Sequence, residues 1–237
     1  TNDNIEELFS LVAPNLRVSD NTMISGTFMS NKYDLDFTLK SDEITYNNMV
    51  LNDVYVRNET EKDKNAKLSI GIKDFIFKQK SSDNSVELGM ENMKFSADMH
   101  DDSLLFDLSW NNEIRKGLNK GNLSAIYMSN ENGGRLNIMS DGVIVNDTLW
   151  NISDDCYIDF NKNGITFGEF DVYTKNQSIR LKGDLPGTYR DTIWVEFDEF
   201  NLSNIDPLTF GYGVDVNGFI DGTLQFYIIS DRLTFLS

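Results

Sequence analysis

Residues 34–40 read Asp34-Leu35-Asp36-Phe37-Thr38-Leu39-Lys40, with polar and apolar side chains in strict alternation. Successive side chains of a β-strand point to opposite faces of a sheet, so this stretch offers one apolar and one wet face. The same period of two recurs at 86–91, 179–182 and 193–198. The sequence therefore predicts a fold built from half-buried strands.

Turn-forming residues separate these runs, as an antiparallel arrangement requires. Asn, Asp, Gly and Ser cluster at 47–48, 81–84, 101–102, 132–134 and 161–164, and the three prolines stand at boundaries between runs. Short strands joined by such turns predict a mostly antiparallel, all-β chain. Apolar residues on both sides of 104–110 and 226–229 predict strands covered on both faces, and the charged stretches 58–65 and 111–121 predict exposed loops.

One helix is expected at the start of the chain. Ile5, Leu8, Phe9 and Val12 follow the i, i+3, i+4, i+7 spacing of an amphipathic helix, and Pro14 ends the pattern. We predict a short N-terminal helix packed on the sheet.

A weak internal repeat connects the two ends of the sequence. Ile24-Ser25-Gly26-Thr27-Phe28 follows Pro14, and Ile220-Asp221-Gly222-Thr223-Leu224 follows Pro207. If the repeat is real, residues 1–200 are a first module and 201–237 begin the next, within a single elongated β fragment over 1–237. Because the chain starts at Thr1 without a signal peptide, we also expect it to be an internal piece of a longer protein.

The charge balance excludes some partners. The chain has 38 acidic and 21 basic residues and a net charge of −17, so it would be repelled by nucleic acids and by anionic membrane surfaces. Hydrophobic residues make up 40%, which is enough to bury a core. No apolar run is long enough to span a bilayer.

Catalytic and metal-binding motifs are not recognisable, so we expect no enzyme activity and no cofactor. With one cysteine, Cys156, and one histidine, His100, neither a disulfide nor a thiolate or histidine metal cluster can form. Residues 159–164 open like a calcium-binding loop, but its twelfth position is Phe170 where a bidentate Glu is needed. This segment is therefore predicted to be a hairpin turn.

The stretch 179–224 resembles the TamB branch of the AsmA-like, bridge-forming envelope proteins, in the form found in bacteria of the Bacteroides type. The resemblance lies in Gly183 after an alternating strand, in the run 200–207 (Phe-Asn-Leu-Ser-Asn-Ile-Asp-Pro) and in the glycine-rich strand Gly218–Gly222. The segment 147–152 (Asp-Thr-Leu-Trp-Asn-Ile) and the opening helix followed by a Gly-Thr-Phe strand are similar to that branch as well.

The resemblance implies an elongated, curled sheet that forms an apolar-lined, β-taco-like trough. Such proteins are anchored in the inner membrane, cross the periplasm, carry phospholipid toward the outer membrane and support outer-membrane biogenesis and protein secretion. This chain would be an internal periplasmic segment without a membrane-spanning part. Contact with an outer-membrane assembly barrel would be made by regions that these residues do not include.

Lipid acyl chains are the partner that this trough would bind. Burial of apolar surface stabilises a bound chain by about 25 cal/mol per Å² and needs no catalytic group. The alternating runs nominate fourteen groove residues: Leu35, Phe37, Leu39, Val86, Leu88, Met90, Leu104, Phe106, Leu108, Ile179, Leu181, Ile193, Val195 and Phe197. Alternation alone does not distinguish an open groove from a closed, packed core.

Two other classes of protein fit the same pattern. A β-sandwich or barrel that serves an envelope protein as a binding or adhesion module would close its sheets over a solid core. A carbohydrate-active enzyme would bring two carboxylates together beside a platform from Trp110, Trp150 or Trp194.

Overall fold

The fold is a single antiparallel sheet, as seen in a computed structural model that describes residues 15–30, 34–60, 65–80, 85–112, 119–145, 147–162, 164–186, 192–204, 216–229 and 232–236. These residues form sixteen strands and one short 3-10 turn, Leu202–Asn204. The all-β prediction is confirmed. The helix predicted near Ile5–Val12 lies outside the described residues.

The strands follow the chain almost without crossovers, and each pairs antiparallel with its neighbours. In chain order they are β1 (Leu16–Val18), β2 (Met23–Met29), β3 (Asp34–Tyr46), β4 (Met49–Thr60), β5 (Ala66–Lys80), β6 (Ser85–His100), β7 (Ser103–Asn111), β8 (Lys120–Asn130), β9 (Gly133–Val145), β10 (Thr148–Ile152), β11 (Tyr157–Asn161), β12 (Gly164–Tyr173), β13 (Ser178–Pro186), β14 (Thr192–Asn201), β15 (Phe219–Ile229) and β16 (Arg232–Leu236).

Two pairs of short strands share a position in the sheet. β1 and β2 both pair with β3, at Leu16 opposite Tyr46 and at Met23 opposite Lys40, and so lie end to end along one edge. β10 and β11 both lie between β9 and β12. The path from β1 to β16 is therefore fourteen strands deep, or about 60 Å at the usual strand spacing.

The register separates an apolar from a polar face, because directly paired residues point to the same side of a sheet. One row from β3 to β8 contains Leu39, Val56, Ile70, Phe95, Leu108 and Leu123. The adjacent row on the opposite face contains Thr38, Arg57, Ser69, Ser96, Asp107 and Ser124. The alternation in the sequence is thus aligned across strands.

Five of the buried side chains lie along one line that crosses the sheet, which we call the floor row. Paired residues carry this row from Ser41 through Val54 and Ile72 to Met93, and from Trp110 through Gly121 and Val143 to Trp150. Thr22 joins it through its hydrogen bond with Ser41, and the pairing of Lys94 with Ser109 brings Met93 beside Trp110. Thr22, Ser41, Val54, Trp110 and Trp150 are all buried. The Thr22 and Ser41 hydroxyls are 2.7 Å apart and satisfy each other.

The sheet is bent along the floor row with the apolar face inside. Val54 is 5% exposed, whereas the side chain of its neighbour Asp53 is 56% exposed and that of Lys73 is 65% exposed. Adjacent residues of a strand point to opposite faces, so Val54 points to the covered, inner face and Asp53 to solvent. The accessible surface of the chain is 15903 Å², compared with about 10,900 Å² for a compact monomer of this mass. The curled sheet that the sequence predicts is therefore present, and it is a single open layer.

Residues with left-handed backbone torsions mark the bend. Asp53 and Asn92 have φ of 49° and 53°, and Glu199 has φ of 47°. The apolar alternation changes parity at these points: in β4, Met49 and Leu51 precede Asp53 at odd positions, and Val54 and Val56 follow it at even positions. An irregular residue in a strand redirects the side chains that follow it.

Glu199 shows the consequence directly. Phe197 and Phe200 lie three positions apart, and regular alternation would put them on opposite faces. Their ring centroids are instead 5.7 Å apart, and the register of β14 with β15 shifts between them. The left-handed residue thus keeps both rings on the concave side.

Two expectations from the sequence are wrong. Residues 104–110 are not covered on both faces, because Leu105 on the convex side is 38% exposed and carries no second layer in the described part of the chain. The predicted loops are also shorter. Asn58–Thr60 belongs to β4, where the Thr60 N–H donates to Asp36 Oδ1, and Gly121 lies in β8 beneath Trp110. The hydrogen bond from Thr60 to the Asp36 side chain allows the polar end of β4 to remain paired with β3.

We expect Glu199→Gly to stabilise the chain by about 1 kcal/mol, because glycine adopts a left-handed torsion without the steric cost of a Cβ. Glu196→Gly, on the same strand at an ordinary torsion, should cost about 0.5–1 kcal/mol. Urea denaturation of both variants measures the difference. Equal destabilisation would contradict the left-handed assignment.

We also expect Gly121→Val to destabilise by about 1–3 kcal/mol, because an added Cβ would stand 2.3 Å from Trp110 Cη2 in the floor row. Gly71→Val is the matched control, since a Cβ at Gly71 has nothing within 4 Å. The urea midpoint should fall for the first variant and stay or rise for the second. A neutral Gly121→Val would show that the floor row is loosely packed.

Candidate functional site

The concave face is the candidate site, and the register shows which predicted residues it brings together. Leu39 and Leu108 belong to one register row through Val56, Ile70 and Phe95. Leu35, Phe37, Leu104 and Phe106 alternate with them on the same strands. Six of the fourteen predicted residues therefore share one face.

A second row extends this face to β14. It passes from β7 through Leu104, Tyr127, Leu136, Ile158, Phe167, Gly183 and Ile193. Val195 and Phe197 alternate with Ile193, and they are paired with Leu181 and Ile179. These five predicted residues thus lie on the same face as those of β3 and β7.

The remaining three predicted residues lie on the other arm of the bend. Val86, Leu88 and Met90 pair with Gln79, Phe77 and Phe75 in β5. Asn92 separates them from Phe95, as Glu199 separates Phe200 from Phe197. Met90 is 36% exposed, while the side chains of Val86 and Leu88 are outside the described part of the structure.

Sequence reasoning did not assign the most buried residues of the concave face to the groove, although it named Trp110 and Trp150 as a possible carbohydrate platform. Five large apolar residues of the concave face are buried. Ile193 is one of the predicted groove residues, whereas Val54, Trp110, Trp150 and Phe200 are not. The sequence does contain a signal for them. The apolar residues switch between odd and even positions beside a polar pair such as Asn52-Asp53 or Glu91-Asn92. Floor-row residues stand next to these changes.

An aromatic cluster fills the concave face between β10 and β14. Trp150 of β10 and Phe200 of β14 have ring centroids 5.9 Å apart, although the β12–β13 hairpin lies between their strands. With Phe197 they form a cluster in which Trp150 and Phe200 are buried. The concave face is closed here by its own side chains.

The β2–β3 end of the face is open. Phe28 is 67% exposed, Ile24 is 47% exposed and Leu35 is 44% exposed, where β2 meets β3. Contiguous exposed apolar groups of this size are unusual in soluble proteins and typically mark a binding surface. The apolar side chains of this face are therefore exposed at β2 and β3 and buried at Trp150 and Phe200.

Two ion pairs lie on the convex side. Arg135 donates to both carboxylate oxygens of Asp159 at 2.6 Å and stacks on Tyr157, 4.0 Å from the ring centroid. Arg180 Nε is 3.3 Å from Asp171 Oδ2. The hydrogen bond to each carboxylate raises the guanidinium pKa of Arg135 and Arg180 above the ordinary arginine value. Solvent screens such pairs, so their contribution is mainly to keep the convex side soluble.

A polar exception lies beside the floor row. Glu91 and Asn112 are buried, the Glu91 N–H donates to Asn112 Oδ1 at 2.8 Å, and Asn112 Nδ2 donates to the Gly89 carbonyl at 3.1 Å. These bonds join the end of β7 to β6. The buried pair therefore stabilises the sheet where it bends.

Neither a metal centre nor an exposed tryptophan platform is found in the part of the chain that the structure describes. No three His, Cys, Asp or Glu side chains are grouped there to hold a metal ion. The segment that opens like a calcium loop is the β11–β12 hairpin, with Asn161 paired to Gly164, as predicted. Trp110 and Trp150 are buried in the floor row. Trp194 lies on the convex face, where it is paired with Lys182 of β13 and with Gln225 of β15.

A polar cavity of about 570 Å³ lies on the convex side near the tip of the β12–β13 hairpin. Two oxygens at its base, Asp171 Oδ1 and Ser178 Oγ, have no hydrogen-bond partner among the described residues. Both atoms are sealed from solvent, so a molecule in the cavity would not reach them without rearrangement.

Comparisons with known proteins add no assignment: no protein-family model, no curated protein and no solved structure matches this chain. Within the described ranges, no helix has the length and apolar character needed to cross a membrane.

Cys156 offers a test of burial. It is 1% exposed, and desolvation raises the pKa of its thiol to about 11. We expect iodoacetamide at pH 8 to label the folded chain at least ~100-fold more slowly than the urea-unfolded chain, because the thiolate is the reactive form. Equal labelling rates would contradict this burial.

The raised thiol pKa of Cys156 also predicts how stability depends on pH. Since an unfolded thiol ionises near pH ~8.5, the free energy of unfolding should fall as pH rises from there through 11.

Proposed function

We propose that this chain is a lipid-conducting segment whose concave face binds acyl chains. The observation that supports it best is the register-linked apolar face from β3 to β14, which is bent inward and open at the β2–β3 end. A ligand bound there would contact apolar side chains along many strands.

The energetics of such a site suit a long flexible chain. Each methylene group removed from water stabilises binding by about 0.8 kcal/mol, so about eight methylenes outweigh a typical cost of association. Among the described residues, the two register rows carry mainly aliphatic and aromatic groups, and the Thr22 and Ser41 hydroxyls of the floor row are bonded to each other, so they would not fix one ligand in one place. A face of this kind lets an acyl chain shift along it from row to row.

The cellular setting of this proposal rests on the resemblance to TamB-type AsmA-like proteins. The segment would lie in the periplasm, within a protein anchored in the inner membrane, and would carry phospholipid between inner and outer membranes in support of outer-membrane biogenesis. An outer-membrane assembly barrel would meet the longer protein through other regions. The net charge of −17 disfavours an anionic ligand head group on the sheet and so supports a ligand that enters by its apolar chain.

Mass spectrometry of organic extracts from the purified chain tests this proposal. We expect phospholipid to copurify, and delipidated protein to take up a fluorescent acyl-chain probe in a saturable way. A chain that is lipid-free and does not bind the probe would overturn the proposed function.

We expect Phe106→Asp to reduce probe binding by tenfold or more, because a carboxylate in the apolar face costs about 2 kcal/mol or more in desolvation. Leu105→Asp is the matched control, since Leu105 is the next residue of β7 and faces the convex side. Circular dichroism melting accompanies both measurements to separate lost binding from lost folding. Equal binding by the two variants, both folded, would show that the facing assignment is wrong.

A further inference from the structure

The open end of the concave face is bounded by two strands that lie on different sides of the bend. Both pair with β3, β1 with residues 44–46 and β2 with residues 34–40. Between them, the hydroxyls of Ser19 and Thr22 contact the Ser41 hydroxyl of the floor row at 3.2 and 2.7 Å. The chain therefore crosses the floor row between the two strands, and β1 borders one arm of the bent sheet while β2 borders the other.

Both border strands present apolar side chains to the concave side. On one arm, Ile24 and Phe28 of β2 are 47% and 67% exposed. On the other arm, Leu16 and Val18 of β1 alternate in the same way, and Val18 pairs with Ile44 of β3. In the described part of the chain, β1 and β2 pair only with β3. The end of the concave face is thus an apolar surface that lies between two arms and carries no cover of its own.

The residues before β1 contain an apolar stripe that this surface could bury. The predicted N-terminal helix carries Ile5, Leu8, Phe9 and Val12 on one face, and the same helical spacing puts Ser10 on the opposite face. A short amphipathic helix gains most of its stability by packing its apolar face on another surface. An exposed apolar surface in turn normally marks a contact.

The connection to β1 brings the stripe within reach of that surface. Residues 13–15 separate Val12 from Leu16 and can span about 10 Å, and a helix from Ile5 to Val12 adds about 11 Å. Leu16 and Ile24 lie opposite positions 46 and 39 of β3, which are at most ~23 Å apart along a straight strand. The bend shortens this distance, so the stripe can lie over the exposed side chains of β2 while the segment stays attached to β1.

We propose that the N-terminal segment, residues 1–12, docks as a helix with its apolar face on Ile24 and Phe28 and closes the open end of the concave face. Its polar residues Asp3, Glu7 and Ser10 share the opposite helix face and remain in water. The proposal does not depend on lipid binding, and an acyl chain at this end would compete with the segment for the same side chains.

Paired cysteine substitutions in the whole chain test the contact. The reporting pair is Val12→Cys with Ile24→Cys. One control pair is Ser10→Cys with Ile24→Cys, which moves the helix cysteine to the polar face. The other is Val12→Cys with Ser25→Cys, which moves the sheet cysteine to the convex face, because Ser25 is the next residue of β2. Cys156 is retained in all three variants, since it is 1% exposed.

We expect oxidised glutathione to form an intramolecular disulfide in the reporting pair at least about tenfold faster than in either control pair, as mass spectrometry of unreduced peptides measures. A docked helix holds the two thiols together in one orientation, whereas a free tail would link all three pairs alike. Equal rates would overturn the proposal. So would a disulfide that is mainly intermolecular, because a second copy would then be the occupant.

A second measurement leaves the cysteines out. Phe9→Asp puts a charge in the apolar stripe and should release the segment, so Nile red fluorescence with the delipidated chain should rise by about twofold or more. Ser10→Asp is the matched control on the polar face and should leave the fluorescence unchanged. Equal fluorescence of the parent and Phe9→Asp, both folded by circular dichroism, would show that the segment does not cover the surface.

Discussion

The bend along the floor row is the constraint on which the rest of this structure depends. Strands such as β3 to β6 are 12 to 16 residues long and carry one apolar face, which a flat single layer would leave in water on its whole length. Bending moves the two arms of each strand toward each other and buries the row between them. Val54, Trp110 and Trp150 are buried for this reason and not because a second sheet covers them.

A bend of this kind imposes a condition on the sequence. If alternation continued unchanged through the irregular position, the apolar residues of one arm would lie inside and those of the other outside. The left-handed residues at Asp53, Asn92 and Glu199 coincide with a parity change in the apolar pattern, so both arms keep the same side inside. Phe197 and Phe200 in ring contact show that the condition is met.

The sequence predicts the strands well because alternation is a local property. The runs at 34–40, 86–91, 179–182 and 193–198 all lie within strands, and the hairpin at 159–164 is where turn chemistry predicts it. The bend is not local: a left-handed torsion is common enough for Asp53 or Asn92 but unfavourable for Glu199, and tertiary packing imposes it. For the same reason Leu104–Trp110 was expected to be covered on both faces, since apolar content alone does not show that the convex side carries no layer.

Whether the apolar side is a groove or a packed core depends on what opposes it. In a sandwich, a second sheet supplies the opposing side chains, whereas here the opposing side chains come from the sheet itself and only where the curve is tight enough. At Trp150 and Phe200 two non-neighbouring strands meet, and the face is filled. At β2 and β3 no such contact is made in the described part of the chain, and Phe28 is left 67% exposed. The openness of the concave face is thus a consequence of local curvature, and the same layer is a packed core near Trp150 and Phe200 and an exposed apolar surface at β2 and β3.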